Sequence, residues 1–271
     1  MKSLCKLARV SRAGYYNWLL YSSKPLSNID LLIKEVFVKK NEKAGYRTIK
    51  MLLKREHNLT INHKRILGSM RKQNLKTKIR RKRNQTVAIV KSISERAFDD
   101  KVQRGFSPQH TDEIYSGDVT EFRICTGQKI YMHAAKDLCS KEIVSYNLST
   151  SPNVDLVLEK FKIHLKSLPL KKRKKLLYHT DQGGVFMSEE HIKETNKLKV
   201  KQSMSRRGNC LDNAPIESFF GHFKDEVDFK VWKNLAEVKT KVKEYMNYYN
   251  FDRPQWGLKG KTPVEYRRFI D

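Results

Sequence analysis

Three acidic residues stand where their type and spacing could do chemistry: Asp118 in YSGDVTEF, Asp181 in LLYHTDQGG and Glu217 in DNAPIESFF. Sixty-two residues separate the two aspartates, and 35 separate Asp181 from Glu217. The first falls inside a candidate strand, the second directly after another, and the third in the first turns of a long candidate helix. Carboxylates brought together repel one another unless a cation sits between them. Two Mg²⁺ ions ~3.5–4 Å apart would meet that demand and clamp the attacking and leaving oxygens of a phosphoryl displacement. Mg²⁺ takes hard oxygen ligands and keeps several waters, so three carboxylates can suffice. The four cysteines, Cys5, Cys125, Cys139 and Cys210, are scattered as expected of reduced thiols and form no zinc-type cluster with histidine. The chain carries 29 acidic residues, however, and Glu121, Asp137 and Glu142 lie close by. Carboxylates at strand ends are often turn formers, so spacing alone leaves both readings open.

The elements that would carry these acids follow from hydrophobic periodicity. Strands are expected over 114–125 and 129–136, with a turn at 126–128, and a third over 143–149. A helix over 153–168 places Val154, Leu158, Phe161 and Leu165 on one face. After the basic run KKRKK, a short buried strand is expected over 175–179. A helix over 189–196 and a strand over 198–202 come next. A longer helix over 212–227 buries Ile216, Phe219, Phe220, Phe223 and Val227, and a last helix over 235–249 buries Leu235, Val238, Val242, Tyr245 and Tyr249. This order predicts an α/β, ribonuclease-H-like fold, a mixed five-stranded sheet flanked by helices. In that fold strands one and four are neighbours and the long helix packs over their ends, so Asp118, Asp181 and Glu217 converge.

The net charge of +27 implies a polyanionic partner. Residues 1–97 hold 25 Lys and Arg against five acids, a net of +20, and the remainder hold 31 against 24, a net of +7. Between His57 and Ser94 there are 11 basic residues and no acidic one. The same third reads as helical: 28–40 with Ile29, Leu32, Ile33, Val36 and Phe37 on one face, 47–57 with Ile49, Leu52 and Leu53, then a break and a basic helix over 63–73 with Asn62 as N-cap. That helix buries Ile66, Leu67 and Met70 and exposes Lys64 and Arg65. Two helices, a tight break and a basic second helix fit a helix-turn-helix unit, as do other small bundles. The expected division is a helical DNA-binding region over 1–75, a basic linker over 76–110 with Arg80, Arg81 and Arg83 along DNA, the catalytic core over 111–230, and a C-terminal helix and basic tail over 231–271. No stretch approaches 18 consecutive apolar residues, so no membrane span is expected. The N-terminus lacks a secretory apolar segment.

The words around the acids are more specific than their spacing. GDVTEF, AAKDLCSKEIVSYNLS, YHTDQGGVF, SMSRRGNCLDNAPIESFFGHFKDE and YYNFDRPQWGLKGKTPVEYR, with SRAGYYNW and KAGYRTIKMLL nearer the N-terminus, resemble the transposases of bacterial insertion sequences, specifically the family-three group with a retroviral-integrase-like core. The resemblance covers nearly the whole chain. It implies that Asp118, Asp181 and Glu217 form a DDE triad binding two Mg²⁺, with Mn²⁺ as a substitute. It also marks a basic residue seven after the glutamate, here Lys224. Seven residues is almost two helical turns, so Lys224 shares a face with Glu217 and can hold a phosphate beside it.

Asp137 also matches a family position but reads as a strand-end turn. His179 orients Asp181, touches DNA or packs in its strand; Asp212 reads as a helix cap. Arg206, Arg207, Asn209 and Asn213 are candidate DNA contacts before the catalytic helix. Tyr115 stands where many relatives have Trp. The resemblance further implies DNA cleavage and strand transfer at terminal inverted repeats into target DNA, a homo-oligomer on DNA, and a bacterial cytoplasmic protein associated with the nucleoid. Relatives are commonly made as longer frameshift fusions with an upstream helix-turn-helix and zipper segment. This chain shows no heptad run and reads as the second-frame product, with the upstream-frame protein or its fusion as partner. The alternatives are an inactive or partner-dependent DNA-binding regulator and a plain ribonuclease-H-type nuclease.

Overall fold

A computed structural model describes residues 1–22, 25–78, 100–103, 105–205 and 210–271. The chain divides into two compact units, Met1–Lys78 and Ile79–Asp271. In the first, α1 (Lys2–Leu7) and α2 (Arg12–Ser22) precede three helices that share a core, α3 (Asn28–Lys39), α4 (Tyr46–His57) and α5 (His63–Lys72). Ile33, Val36, Phe37, Ile49, Leu52, Leu53, Ile66 and Met70 fill that core. Ile29, expected on the same face, is 38% exposed because it lies in the first turn of α3, at the rim. Ser27 and Asp30 form a reciprocal capping box at the start of α3. Asn58 ends α4 in the left-handed conformation at φ 55°. Asn62 caps α5 by accepting from the Lys64 N–H at 2.9 Å, as expected.

The second unit is built on β1 (Ile114–Arg123), β2 (Lys129–Asp137), β3 (Ile143–Ser149), β4 (Leu177–Thr180) and β5 (Lys201–Met204), ordered β3-β2-β1-β4-β5. β1, β2 and β3 form an antiparallel meander, and β4 and β5 continue the sheet in parallel with β1. Side chains alternate between faces, so the sheet carries two cores. On one face Ile130, Met132 and Ala134 pack under α9 (Ala214–Glu226) and α10 (Leu235–Asn247) with Phe219, Phe223, Val238, Val242 and Tyr249. On the other, Tyr115, Ala135 and Tyr178 pack with Phe161 and Leu165 of α6 (Val154–Ser167) and with Leu198, which follows α8 (Glu189–Lys197). The ribonuclease-H-like order of the sequence reading is the observed one.

The differences from that reading have local causes. KKRKK is not merely a run before a strand: it forms α7 (Leu170–Lys175), and β4 starts at Leu177. β5 begins at Lys201 rather than 198 because Lys199 adopts φ +61°, which ends α8 in a turn. The catalytic helix starts at Ala214, after a 3₁₀ turn over Cys210–Asn213, with Pro215 in its first turn where a missing N–H costs nothing. Asp212 is therefore in the turn and is not the helix cap.

The segment after 231 is not a tail. α10 belongs to the same core as the sheet, a π-helical turn (Tyr248–Asp252) follows it, and α11 (Pro263–Ile270) is closed by a Thr262–Glu265 capping box. From the π turn, Asn250 reaches the outer edge of β3, accepting from the Ile143 N–H at 3.0 Å and donating to the Ile143 carbonyl at 3.0 Å. From α11, Arg267 donates to Asp112 at 2.9 Å, Asp137 at 3.0 Å and Glu142 at 2.5 Å. Asp137 also accepts from the Ser140 hydroxyl at 2.7 Å and is fully buried, the structural role its setting suggested.

Candidate active site

Asp118 lies mid-way along β1, Asp181 follows the last residue of β4, and Glu217 is the fourth residue of α9. β1 and β4 are parallel neighbours, registered with Ser116 opposite His179, which sets the first two acids side by side at one edge of the strands. The Asp118 carboxylate accepts from the Val119 N–H at 2.7 Å, and that of Asp181 from the Gly183 N–H at 3.0 Å. Gly183 leaves space for this carboxylate: a Cβ there would stand 2.9 Å from Asp181 Oδ1. An open cleft of about 250 Å³ lies against both aspartates, walled by Tyr131, Pro152, Gly184 and Phe186.

The three acids share one electrostatic field. Burial first, then the charges of Asp181 and Glu217, pushes the Asp118 carboxyl up to about 7, while the Lys224 ammonium pulls it back. Glu217, exposed at its position on α9, is raised by desolvation and by Asp181. Such mutual repulsion is what a hard divalent cation relieves, and the ligand atoms offered are all oxygen, the chemistry Mg²⁺ or Mn²⁺ selects. Among the described residues no three His, Cys, Asp or Glu side chains already stand at metal-holding spacing, so the acids form an open set and not a closed cage.

The remaining candidates divide. Lys224 lies half-buried on α9, near enough for its charge to reach Asp118. Lys64 is exposed on α5. Arg65 bridges to α3, with a guanidinium nitrogen 3.4 Å from Asp30 and 3.1 Å from the Ser27 hydroxyl. Arg80, Arg81, Arg83, Arg206, Arg207 and Asn209 lie outside the described residues. Asn213, read as a DNA contact, is 3% exposed; its side chain accepts from the Ser116 hydroxyl at 2.7 Å and contacts the Gly117 carbonyl at 3.5 Å. It holds the helix start to β1. His179 does not orient Asp181: its ring bonds the Ser203 hydroxyl and the Asp212 carbonyl, each at 2.9 Å. Tyr115, in the tryptophan position, is buried and donates to Asp112 at 2.5 Å. Two residues were missed. Arg267 lay in an apparent tail, and Lys136 closed a predicted strand, where a charge reads as a solvated end; only its place beside the apolar run IYMHAA hinted at burial.

A 3-2-1-4-5 mixed sheet with acids on β1, after β4 and on the helix that follows β5 defines an integrase-type catalytic core. Integrase core domain models match residues 108–210 and 198–263, and an HTH-like domain model matches 26–83. The chain is 34% identical over 270 residues to the putative transposase InsK for insertion sequence element IS150 of Escherichia coli (strain K12), covering 98% of this chain and 93% of that one. It is 25% identical to transposase InsF for insertion sequence IS3A of the same strain, over 83% of this chain and 78% of that one. Among solved structures, the HTLV-2 integrase catalytic core domain in complex with magnesium (trimeric form) is 19% identical with a TM-score of 0.43, over 59% of this chain and 97% of that one. The chain belongs to the transposases of insertion sequence elements.

Proposed function

We propose that this transposase cuts DNA at the ends of its element and joins the freed ends to target DNA, with Asp118, Asp181 and Glu217 as the catalytic acids. The observation that carries this reading is the shared field of the three carboxylates, which raises Asp118 to about 7. Asp118, Asp181 and Glu217 would hold two Mg²⁺ ions, or Mn²⁺ in their place; when bound, these supply Lewis acidity and activate first water and then a 3′-hydroxyl as nucleophile. The chain's own part is placement. β1 and β4 fix two acids on rigid neighbouring strands, α9 brings the third, and Lys224 holds a phosphate oxygen beside them. The cleft against Asp118 and Asp181 receives the scissile strand.

The basic helical unit, with Lys64 exposed on its capped α5, supplies non-specific DNA affinity, and the basic residues over 76–83 extend it into the linker. Arg206, Arg207 and Asn209, just before the catalytic helix, belong to the same proposed DNA path. The chain acts as a homo-oligomer on DNA, in the bacterial cytoplasm with the nucleoid, with the upstream-frame protein or its fusion as a partner in recognising the terminal repeats.

The test incubates the purified chain with Mg²⁺ or Mn²⁺ and an oligonucleotide carrying the element's terminal repeat. Joined products are expected, and Glu217→Gln removes them. DNA binding with no metal-dependent cleavage overturns the reading, and hydrolysis without joining replaces it with a nuclease.

A further inference from the structure

The start of α9 is held in an unusual way. Its N-cap position, Asn213, makes no side-chain capping bond, and Pro215 in its first turn has no N–H to offer. Instead three side chains from the sheet reach the segment 212–215. Ser116 of β1 donates to the Asn213 side chain at 2.7 Å, His179 of β4 meets the Asp212 carbonyl at 2.9 Å, and Lys136 of β2 donates to the Pro215 carbonyl at 3.1 Å. The attachment points are in step with the acids: Ser116 is two residues before Asp118, His179 two before Asp181, and Pro215 two before Glu217. One clasp thus ties together the three strands of backbone that carry the catalytic carboxylates.

Lys136 is the costly member. It is 6% exposed, its ammonium is brought down to about 8 by burial with Arg253 adding a like charge, and it sits at a helix N-terminus, where the dipole disfavours a cation. The β2–β3 ladder shifts register between Ala135 and Lys136, a device that re-aims side chains beside active sites. Replacing a buried charge by an apolar side chain of similar volume is often neutral or stabilising, so the fold alone would be as well served by methionine.

We propose that Lys136 is a positioning residue for Glu217: its ammonium grips the Pro215 carbonyl and sets the first turn of α9 at the distance from β1 and β4 that a shared divalent ion requires. The inference rests on Glu217 being a metal ligand, and the experiment separates the two claims. In the full chain, Lys136→Met is expected to keep or raise Tm. Without metal, amide exchange in the first turn of α9 quickens about tenfold while the rest of the sheet is unchanged. The Mn²⁺ concentration for half-maximal strand transfer rises about 10- to 100-fold, the usual effect of removing a group that orients a metal ligand. Lys136→Gln, which keeps a donor without the charge, recovers most of both properties.

Unchanged exchange and metal dependence in Lys136→Met overturn the proposal. So do loss of the fold in that variant, exchange quickened throughout the unit, and a Lys136→Gln variant no better than Lys136→Met. Glu217→Gln serves as the reference: it abolishes strand transfer and leaves exchange of the α9 turn alone. Activity surviving in Glu217→Gln brings down the assignment of the acid, whatever Lys136 does.

Discussion

The two units of this transposase handle charge in opposite ways. In Met1–Lys78 the core is wholly apolar and the many basic side chains stay on the surface, with Lys39–Glu56 and Lys78–Glu42 as exposed pairs. Pairs of that kind contribute about 1 kcal/mol or less. In the catalytic unit, charge goes inside. Arg267 serves three carboxylates, Arg253 makes a bidentate pair with Glu226 at 2.7 and 2.9 Å, and Lys136 is spent on a backbone carbonyl. Surface charge attracts a polyanion and can be altered one residue at a time. Buried charge specifies geometry, and each member depends on its partners.

The contrast can be broken most sharply at Arg267. Arg267→Ala leaves Asp112, Asp137 and Glu142 without their common partner and should cost about 3–5 kcal/mol, seen as a large fall in the thermal transition of the catalytic unit. A smaller effect is expected at Asp112, whose carboxyl, although penalised by burial, is held down at about 2 by Lys172, Tyr115 and Arg267. A carboxylate lowered from 3.8 to about 2 stabilises the fold by about 2 kcal/mol above pH ~4, and that stability is lost as pH falls from ~4 toward 2. Burial drives Asp137 and Glu142 the other way, so the measurement is the difference in Tm between wild type and Asp112→Asn across pH 2–5, which should vanish at the acid end.

Gly117→Ala comes next. Its Cβ would stand 2.1 Å from the Tyr178 hydroxyl, which lies buried against His133 at 2.9 Å, and overpacking there should cost about 1–3 kcal/mol, partly recovered by adding Tyr178→Phe. In the helical unit, Ser27→Ala removes one half of a capping box and should cost about 1 kcal/mol by denaturant unfolding. Smallest of all, Lys64→Ala should lower the salt slope of DNA binding by about 0.9 without changing Tm, because it neutralises a single phosphate. A stability loss there as large as at Arg267 would erase the contrast between the units.

Much of the catalytic unit could be read before its coordinates. Strand order, the placement of Asp118 within β1 and Asp181 after β4, and the apolar face of α9 all follow from periodicity, which reports burial directly. What periodicity cannot report is a polar residue whose partner lies far along the chain. Arg267 and Asp112 are 155 residues apart and Asn213 and Ser116 are 97 apart, so nothing near either one marks the pair. Asn213 therefore looked like a DNA ligand and Lys136 like a strand end. α7 was invisible for the opposite reason: LKKRKK has no buried face to produce a pattern. α11 did carry a signal, Thr-Pro-x-Glu, which announces a capped helix start and was passed over in a stretch read as basic tail.

The amide of Asn250 has a further consequence for a protein that gathers in several copies on DNA. β3 is an outermost strand of the sheet, and such strands invite the strands of neighbouring molecules to pair with them. At Ile143 the outward N–H and carbonyl are both taken by one side chain of the same molecule. Asn250 behaves there as a sixth strand one residue long. It closes a rung against which a crowded neighbour could otherwise aggregate, while the opposite side of the molecule's chemistry stays open to DNA.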